Sequence, residues 1–253
     1  MERTQIKEAE KRRSSCQKIK KSIKIVLGIV IFFTLPSLLY FGYIYIKYHE
    51  DLPVGIEGEA ADNLANKMLD ALDYQAFEKT KLIEWTHRNR RRYQWDKANN
   101  MCTVYWKEYK VDLHLKFPER STASIHSFNV IDEQRDALVQ TAIDYFNNDS
   151  FWMAAPYKVF DQGVVRKVVK YEGKEALLVT YTQGGSTPGD SYLWILDSAY
   201  KPIKFKMWTS LLPIDGLEAT WTDWTTTESG AQLPTFHKIL LMGVEMDHIK
   251  GTR

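Results

Sequence analysis

The stretch IVLGIVIFFTLPSLLYFGYIYI, Ile25 to Ile46, carries no charged side chain in 22 consecutive positions. As a helix it reaches about 30 Å, the thickness of a bilayer's hydrocarbon core. Tyr40, Tyr43, Tyr45 and Tyr48 gather at its far end, as an aromatic belt at a membrane–water boundary would. Pro36 lies within the span, where a membrane helix tolerates it. The chain is therefore expected to hold one transmembrane helix. A cleaved signal peptide would have a shorter apolar core and a small-residue cleavage site, and only Gly58–Ala60 offers one. A lipoprotein signal would place a cysteine just after the apolar run, whereas Cys16 precedes it.

Charge sets the expected orientation. Met1 to Lys24 holds nine Lys/Arg against three Asp/Glu, a net of +6, so the rest carries −4 of the chain's total of +2. A basic flank before the span keeps the N-terminus cytoplasmic and exports the C-terminal part. The expected organisation is a basic cytoplasmic tail (1–24), a transmembrane helix (25–46), a linker (47–57) and an exported domain (58–253). Cys16 and Cys102 then lie on opposite sides of the membrane and cannot pair within one chain. Cys102, in an apolar strand, reads as a small core residue rather than a nucleophile.

Two periodicities alternate in the exported part. Ala61, Leu64, Ala65, Met68, Leu69 and Leu72 recur at helical spacing, with DYQAF as a further turn. A second helix is predicted over 132–147, with Asp132 as N-cap and Leu138, Val139, Ala142, Ile143 and Phe146 as its stripe. NNDSFWMAAP is expected to end it. Elsewhere the period is two. KLIEWTHRNRRRYQWD reads as one strand, with Arg88, Arg90 and Arg92 on one face. Strands are also predicted over 101–110, 111–118 and, more weakly, 122–129. Further ones are predicted over 163–171, 175–183, 190–197, 202–209, 215–227 and 232–248, separated by Gly-, Pro- and Asp-rich turns. The expected class is α+β: about ten antiparallel strands in a curled sheet that wraps around two amphipathic helices.

Little in the sequence points to catalysis. GGSTPGD, Gly184 to Asp190, resembles a phosphate-cradling loop only superficially. Strands flank it on both sides, no helix comes after it, and no lysine takes the position such a loop requires. It reads as a hairpin turn, with a site role for Asp190 as the alternative. His87, His114, His126, His237 and His248 show no metal-ligand spacing, although His114 and His126 could approach across a turn. No nucleophile elbow is present. The expectation is no catalytic residue, no metal site and no cofactor. An enzymatic reading would pair Asp190 with His237 or His114. The run HRNRRRYQW suggests either a solvated face or attraction to anionic headgroups or an acidic partner, and no nucleic acid is expected beyond a membrane.

FWMAAPYKVFDQGV, GGSTPGDSYLWILDSAYKPIKFKMW and LPTFHKIL resemble the pattern of the outer-membrane lipoprotein-sorting superfamily (LolA/LolB-like), in particular uncharacterised envelope proteins from Bacteroidota-type bacteria. ADNLANKMLDAL followed by FEKTKLIEWT is similar to the usual opening of such domains. The resemblance spans about Gly58 to Asp247. It implies a strongly curved, incomplete antiparallel barrel, with helices packed in its concave face. It also implies a non-catalytic activity, the shielding of a lipid or lipoprotein acyl chain in an apolar cavity. The chain would then sit in the inner membrane with its domain in the periplasm.

Alternating aromatic and Met positions in the late strands give the expected ligand-binding residues: Tyr192, Trp194, Phe205, Met207, Trp221 and Phe236. A filled core would use such positions in the same way. The partners expected are a lipid or acyl chain, the membrane itself and an envelope protein. The alternative is a structural or protein-interaction module with a filled core.

Overall fold

The computed structural model describes the backbone of residues 2–253 and the side chains from Lys20 onward. Cys16 and most of the basic tail therefore lie outside the described side chains. Two units are present, Met1–His49 and Glu50–Arg253.

The first unit is one helix, α1 (Glu2–Tyr48). Its segment Lys20–Tyr48 is long and apolar enough to cross a membrane, as either an anchor or a signal sequence would be. Its apolar side chains point outward all round, with Phe32 and Phe33 strongly exposed. A helix apolar on every side needs an apolar surrounding.

The second unit is α+β. Its helices are α2 (Glu59–Ala71), α3 (Tyr74–Lys79) and α4 (Asp132–Ala154). The strands are β1 (Leu82–His87), β2 (Arg91–Asp96), β3 (Met101–Trp106), β4 (Tyr109–His114), β5 (Thr122–Ile125), β6 (Phe128–Val130) and β7 (Val164–Tyr171). They continue with β8 (Lys174–Tyr181), β9 (Ser191–Leu196), β10 (Pro202–Trp208), β11 (Leu217–Thr220), β12 (Asp223–Thr226), β13 (Gln232–Ile239) and β14 (Met242–Thr252). All fourteen belong to one open antiparallel sheet in the order β6-β5-β4-β3-β2-β1-β14-β13-β11-β10-β9-β8-β7, with β12 paired to β13. Two meanders thus meet where β1 pairs with β14.

The expected ten strands become fourteen because several turns carry no polarity signal. The single strand predicted over 81–96 is a hairpin, with His87 opposite Arg91. Arg88 and Asn89 take positive φ of 49° and 52° in the turn, a conformation that asparagine tolerates better than most residues. Arg88 and Arg90 therefore sit in a turn, and only Arg92 lies on the strand. The apolar run ILLM hides a second turn, in which Leu240 has a φ of 51° and Ile239 pairs with Met242. The stretch 215–227 breaks between β11 and β12, and 122–129 splits into β5 and β6.

The first expected helix forms as read: Ala61, Leu64, Ala65, Met68, Leu69 and Leu72 are all buried. Asp73 caps α3 by accepting the Ala76 amide at 3.2 Å. The second helix differs at both ends. Ile131, not Asp132, is its N-cap, and no side chain caps it. It also runs past the expected end at Asn147, through the supposed breaker to Ala154. Contacts with the sheet override the weak helix propensity of NND.

Helices α2 and α4 pack on the same face of the sheet. Arg166 on β7 bonds Asp62 of α2 at 2.6 Å, and α4 lies against β4, β5 and β13. The opposite face carries a smaller cluster of Val169, Ala176, Leu178, Leu193 and Trp208. The later part of the expected linker runs along the sheet. Glu50 donates its amide to Asp215 O at 2.9 Å and accepts the Trp208 indole at 2.7 Å, and Ile56 bridges to Val168.

Candidate functional site

Five of the six residues expected to bind ligand come together on the helix-bearing face. Trp194 on β9, Phe205 on β10 and Trp221 just after β11 are fully buried and in mutual ring contact, with centroids 4.9–5.3 Å apart. Tyr192 joins Phe205 at 5.7 Å, and Met207 shares the face by strand alternation. Phe236 does not join them. The inward position on β13 belongs to its neighbour His237, so alternation turns Phe236 to the other face, where it packs over Gly243.

The end of α4 fills the space in front of this cluster. Phe151 meets Tyr192 at 4.3 Å, and Trp152 meets Phe205 at 5.6 Å and Trp221 at 6.2 Å. The indole nitrogens of Trp85, Trp194 and Trp221 are buried without a hydrogen-bond partner in the protein. Buried tryptophans ordinarily find one.

A polar girdle ties α4 down beside these rings. Asp149 on α4 is fully buried and accepts from Arg91 Nε at 2.6 Å, Arg91 Nη2 at 3.1 Å, Tyr93 Oη at 2.5 Å and Asn148 Nδ2 at 2.8 Å. Burial and the neighbouring carboxylate push the Tyr93 phenol pKa up, so it stays protonated and donates. His87 stands 3.6 Å from Asp149, too far for a hydrogen bond, and burial lowers its pKa to about 4. His237 lies 4.1 Å from the Trp221 ring, with Nδ1 2.9 Å from Thr220 O and Nε2 2.8 Å from Trp152 O. Burial draws the His237 pKa to about 4, against the pull of those two carbonyls. The neutral ring therefore donates to only one of them.

Sequence reasoning missed Phe151, Trp152, Asp149, Trp85 and Tyr93 as parts of this site. A signal was present: Val139, Ala142, Phe146, Asp149 and Met153 recur at alternating steps of three and four, and all are buried. An acid in the stripe obscured the pattern.

The Gly184–Asp190 stretch joins β8 to β9. Asp190 is buried and accepts from Thr187 Oγ1 at 2.6 Å, Thr209 Oγ1 at 2.5 Å, the Ser210 amide at 3.1 Å and Tyr192 Oη at 3.3 Å. It pins its own loop to the one after β10. Among the described residues no hydrogen bond or ion pair joins Asp190 to His237 or His114. No group of three potential metal ligands occurs among those residues either. Cys102 is buried, and desolvation raises its thiol pKa, as a packed core cysteine requires.

Two surface depressions lie elsewhere. One of 460 Å³ is lined by Asn66, Leu69, Asp70, Asp73, Tyr74, Gln75 and Phe160. The other, of 280 Å³, lies along β7–β10 by Tyr171, Ile195 and Lys204. Neither includes the aromatic cluster.

No family model matches the chain, and no curated protein matches it. Among solved structures, it is similar to a DUF1329 family protein from Desulfovibrio piger. The identity is 7%, the match covers 77% of this chain and 94% of that one, and the TM-score is 0.40. At that score the likeness carries no argument about activity.

Proposed function

We propose that this is a non-catalytic envelope protein, anchored in the inner membrane by its N-terminal helix, whose folded unit holds a lipid or lipoprotein acyl chain against the helix-bearing face of a curved, incomplete barrel. One observation carries the reading. Three tryptophans on that face keep buried N–H donors without acceptors. Leu or Phe would fill the space without that cost. An acyl ester would bring both apolar bulk and carbonyl acceptors. It would take the place of Phe151 and Trp152 as the last turns of α4 lift. The basic tail before the span supports a cytoplasmic N-terminus and a periplasmic domain.

A second reading has its own support. Phe151 and Trp152 already pack on the cluster, as they would in a filled core whose role is to present an outer surface to an envelope partner. Native mass spectrometry of Glu50–Arg253, purified without detergent, separates the two. A bound mass in the lipid range is expected. A ligand-free mass in repeated preparations would overturn the lipid reading and leave the interaction module.

A further inference from the structure

Antiparallel pairing brings particular turns to one rim of the sheet. Met207 opposite Leu217, and Ala219 opposite Ile239, put the loop 209–216 and the Leu240–Leu241 turn on neighbouring hairpins at the same end. His87 opposite Met246 places the Arg88–Arg90 turn next along that rim. Its order is therefore a basic turn followed by two apolar tips. Leu211 is 65% exposed, Leu241 89% and Met242 56%, with Arg88 and Arg90 also exposed. Large apolar side chains at successive tips are unusual for a surface that meets only water.

The chain enters the folded unit at this same rim. Glu50 bonds Asp215 at the base of the apolar loop, and its carboxylate pairs with Lys206. Glu50 lies four residues after Ile46, the end of the apolar span, so covalent length keeps the two within about 14 Å of each other. Asp190 stiffens the base of the loop through Thr209 and Ser210.

We infer that this rim docks on the bilayer that holds the anchor. Leu211, Leu241 and Met242 enter the boundary between headgroups and acyl chains, while Arg88 and Arg90 meet the headgroups. Docking rests on the proposed anchor and is independent of what the helix-bearing face binds. With Glu50 already paired to Lys206, Asp51, Asp215 and Glu245 offset the two arginines near the rim, so apolar insertion rather than net charge holds the contact. Docking therefore withstands added salt.

The test uses the full chain with Cys16→Ser and Cys102→Ala, reconstituted in phosphatidylcholine/phosphatidylglycerol nanodiscs, one chain per disc. Single cysteines replace Leu211, Leu241 or Lys174, the last beside the β7–β8 turn at the opposite end of the sheet, and each carries an environment-sensitive fluorophore. Lipids with a nitroxide near the headgroup should quench the labels at 211 and 241 at least about twofold more than the label at 174, at low and high salt. Equal quenching at all three sites, with the chain retained in the disc, would overturn the docking and leave the anchor standing. A spectral change at 211 and 241 that needs two chains per disc would assign the rim to a second copy instead. Failure of the chain to co-elute with discs would remove the anchor and the docking together.

Discussion

Arg91 on β2 grips Asp149 on α4 through two nitrogens, at 2.6 and 3.1 Å, with the carboxylate wholly withdrawn from solvent. The pair spans the junction between the first meander and the helix inserted after it. Removing one partner strands the other's charge, so Asp149→Ala should cost about 3–5 kcal/mol. Arg91→Met together with Asp149→Leu should cost clearly less than Asp149→Ala alone. Urea denaturation of the two variants beside the parent protein checks the ordering, and equal losses would mean that the pair acts only through packing.

His87 and His237 make the folded unit sensitive to mild acid. Both pKa values lie near 4 in the fold, against 6.5 for an unburied histidine. Above pH 6.5 both rings are neutral in either state and stability does not depend on them. Between 6.5 and 4 the unfolded chain takes up protons that the folded one refuses, so stability falls as pH falls. Each ring should account for a loss of about 2 kcal/mol by pH 5. Urea midpoints at pH 7 and pH 5 measure this, and His237→Gln should remove roughly half of the difference. A midpoint that stays constant over that range would contradict it.

Asp190 should matter for stability rather than turnover. Four donors converge on it, and Asp190→Ala leaves several of them buried and unmatched, for about 3 kcal/mol. Thr187→Ala removes one outer donor and should cost about 1 kcal/mol. Thermal melts of both variants give the comparison, and a silent Asp190→Ala would mean that the loops are not joined as described.

The strap over the sheet's second face depends on Gly55. A Cβ there would stand 2.7 Å from Lys167 Cβ, 2.9 Å from Val169 Cγ2 and 3.0 Å from Val168 O. Gly55→Val should lift residues 50–57 while the sheet stays folded. Limited proteolysis should then cut this segment first, and an unchanged cleavage pattern would show that the strap yields without detaching.

The sequence disclosed what periodicity can carry. The α2 stripe and strands β7 to β10 were legible because their apolar positions keep one period up to a Gly- or Asp-rich turn. The β1–β2 and β13–β14 turns were not, since Arg88-Asn89 and Leu240-Leu241 continue the surrounding polarity and only the backbone reverses. The common face of five candidate residues was legible because strand alternation fixes it. Phe236 was misplaced by one step of that alternation, with His237 taking the inward position. The seating of Phe151 and Trp152 follows from an ion pair between residues 58 positions apart, which no local pattern reveals.

The pairing of β1 with β14 has a consequence for how the domain comes into being. The first strand of the sheet waits for the last one made, and until Met242–Thr252 leaves the ribosome β1 presents bare amides and carbonyls along one side. The first meander is thus born with an unsealed border. Its lifetime in that state is set by the time needed to synthesise the chain between His87 and Thr252, not by any local folding rate.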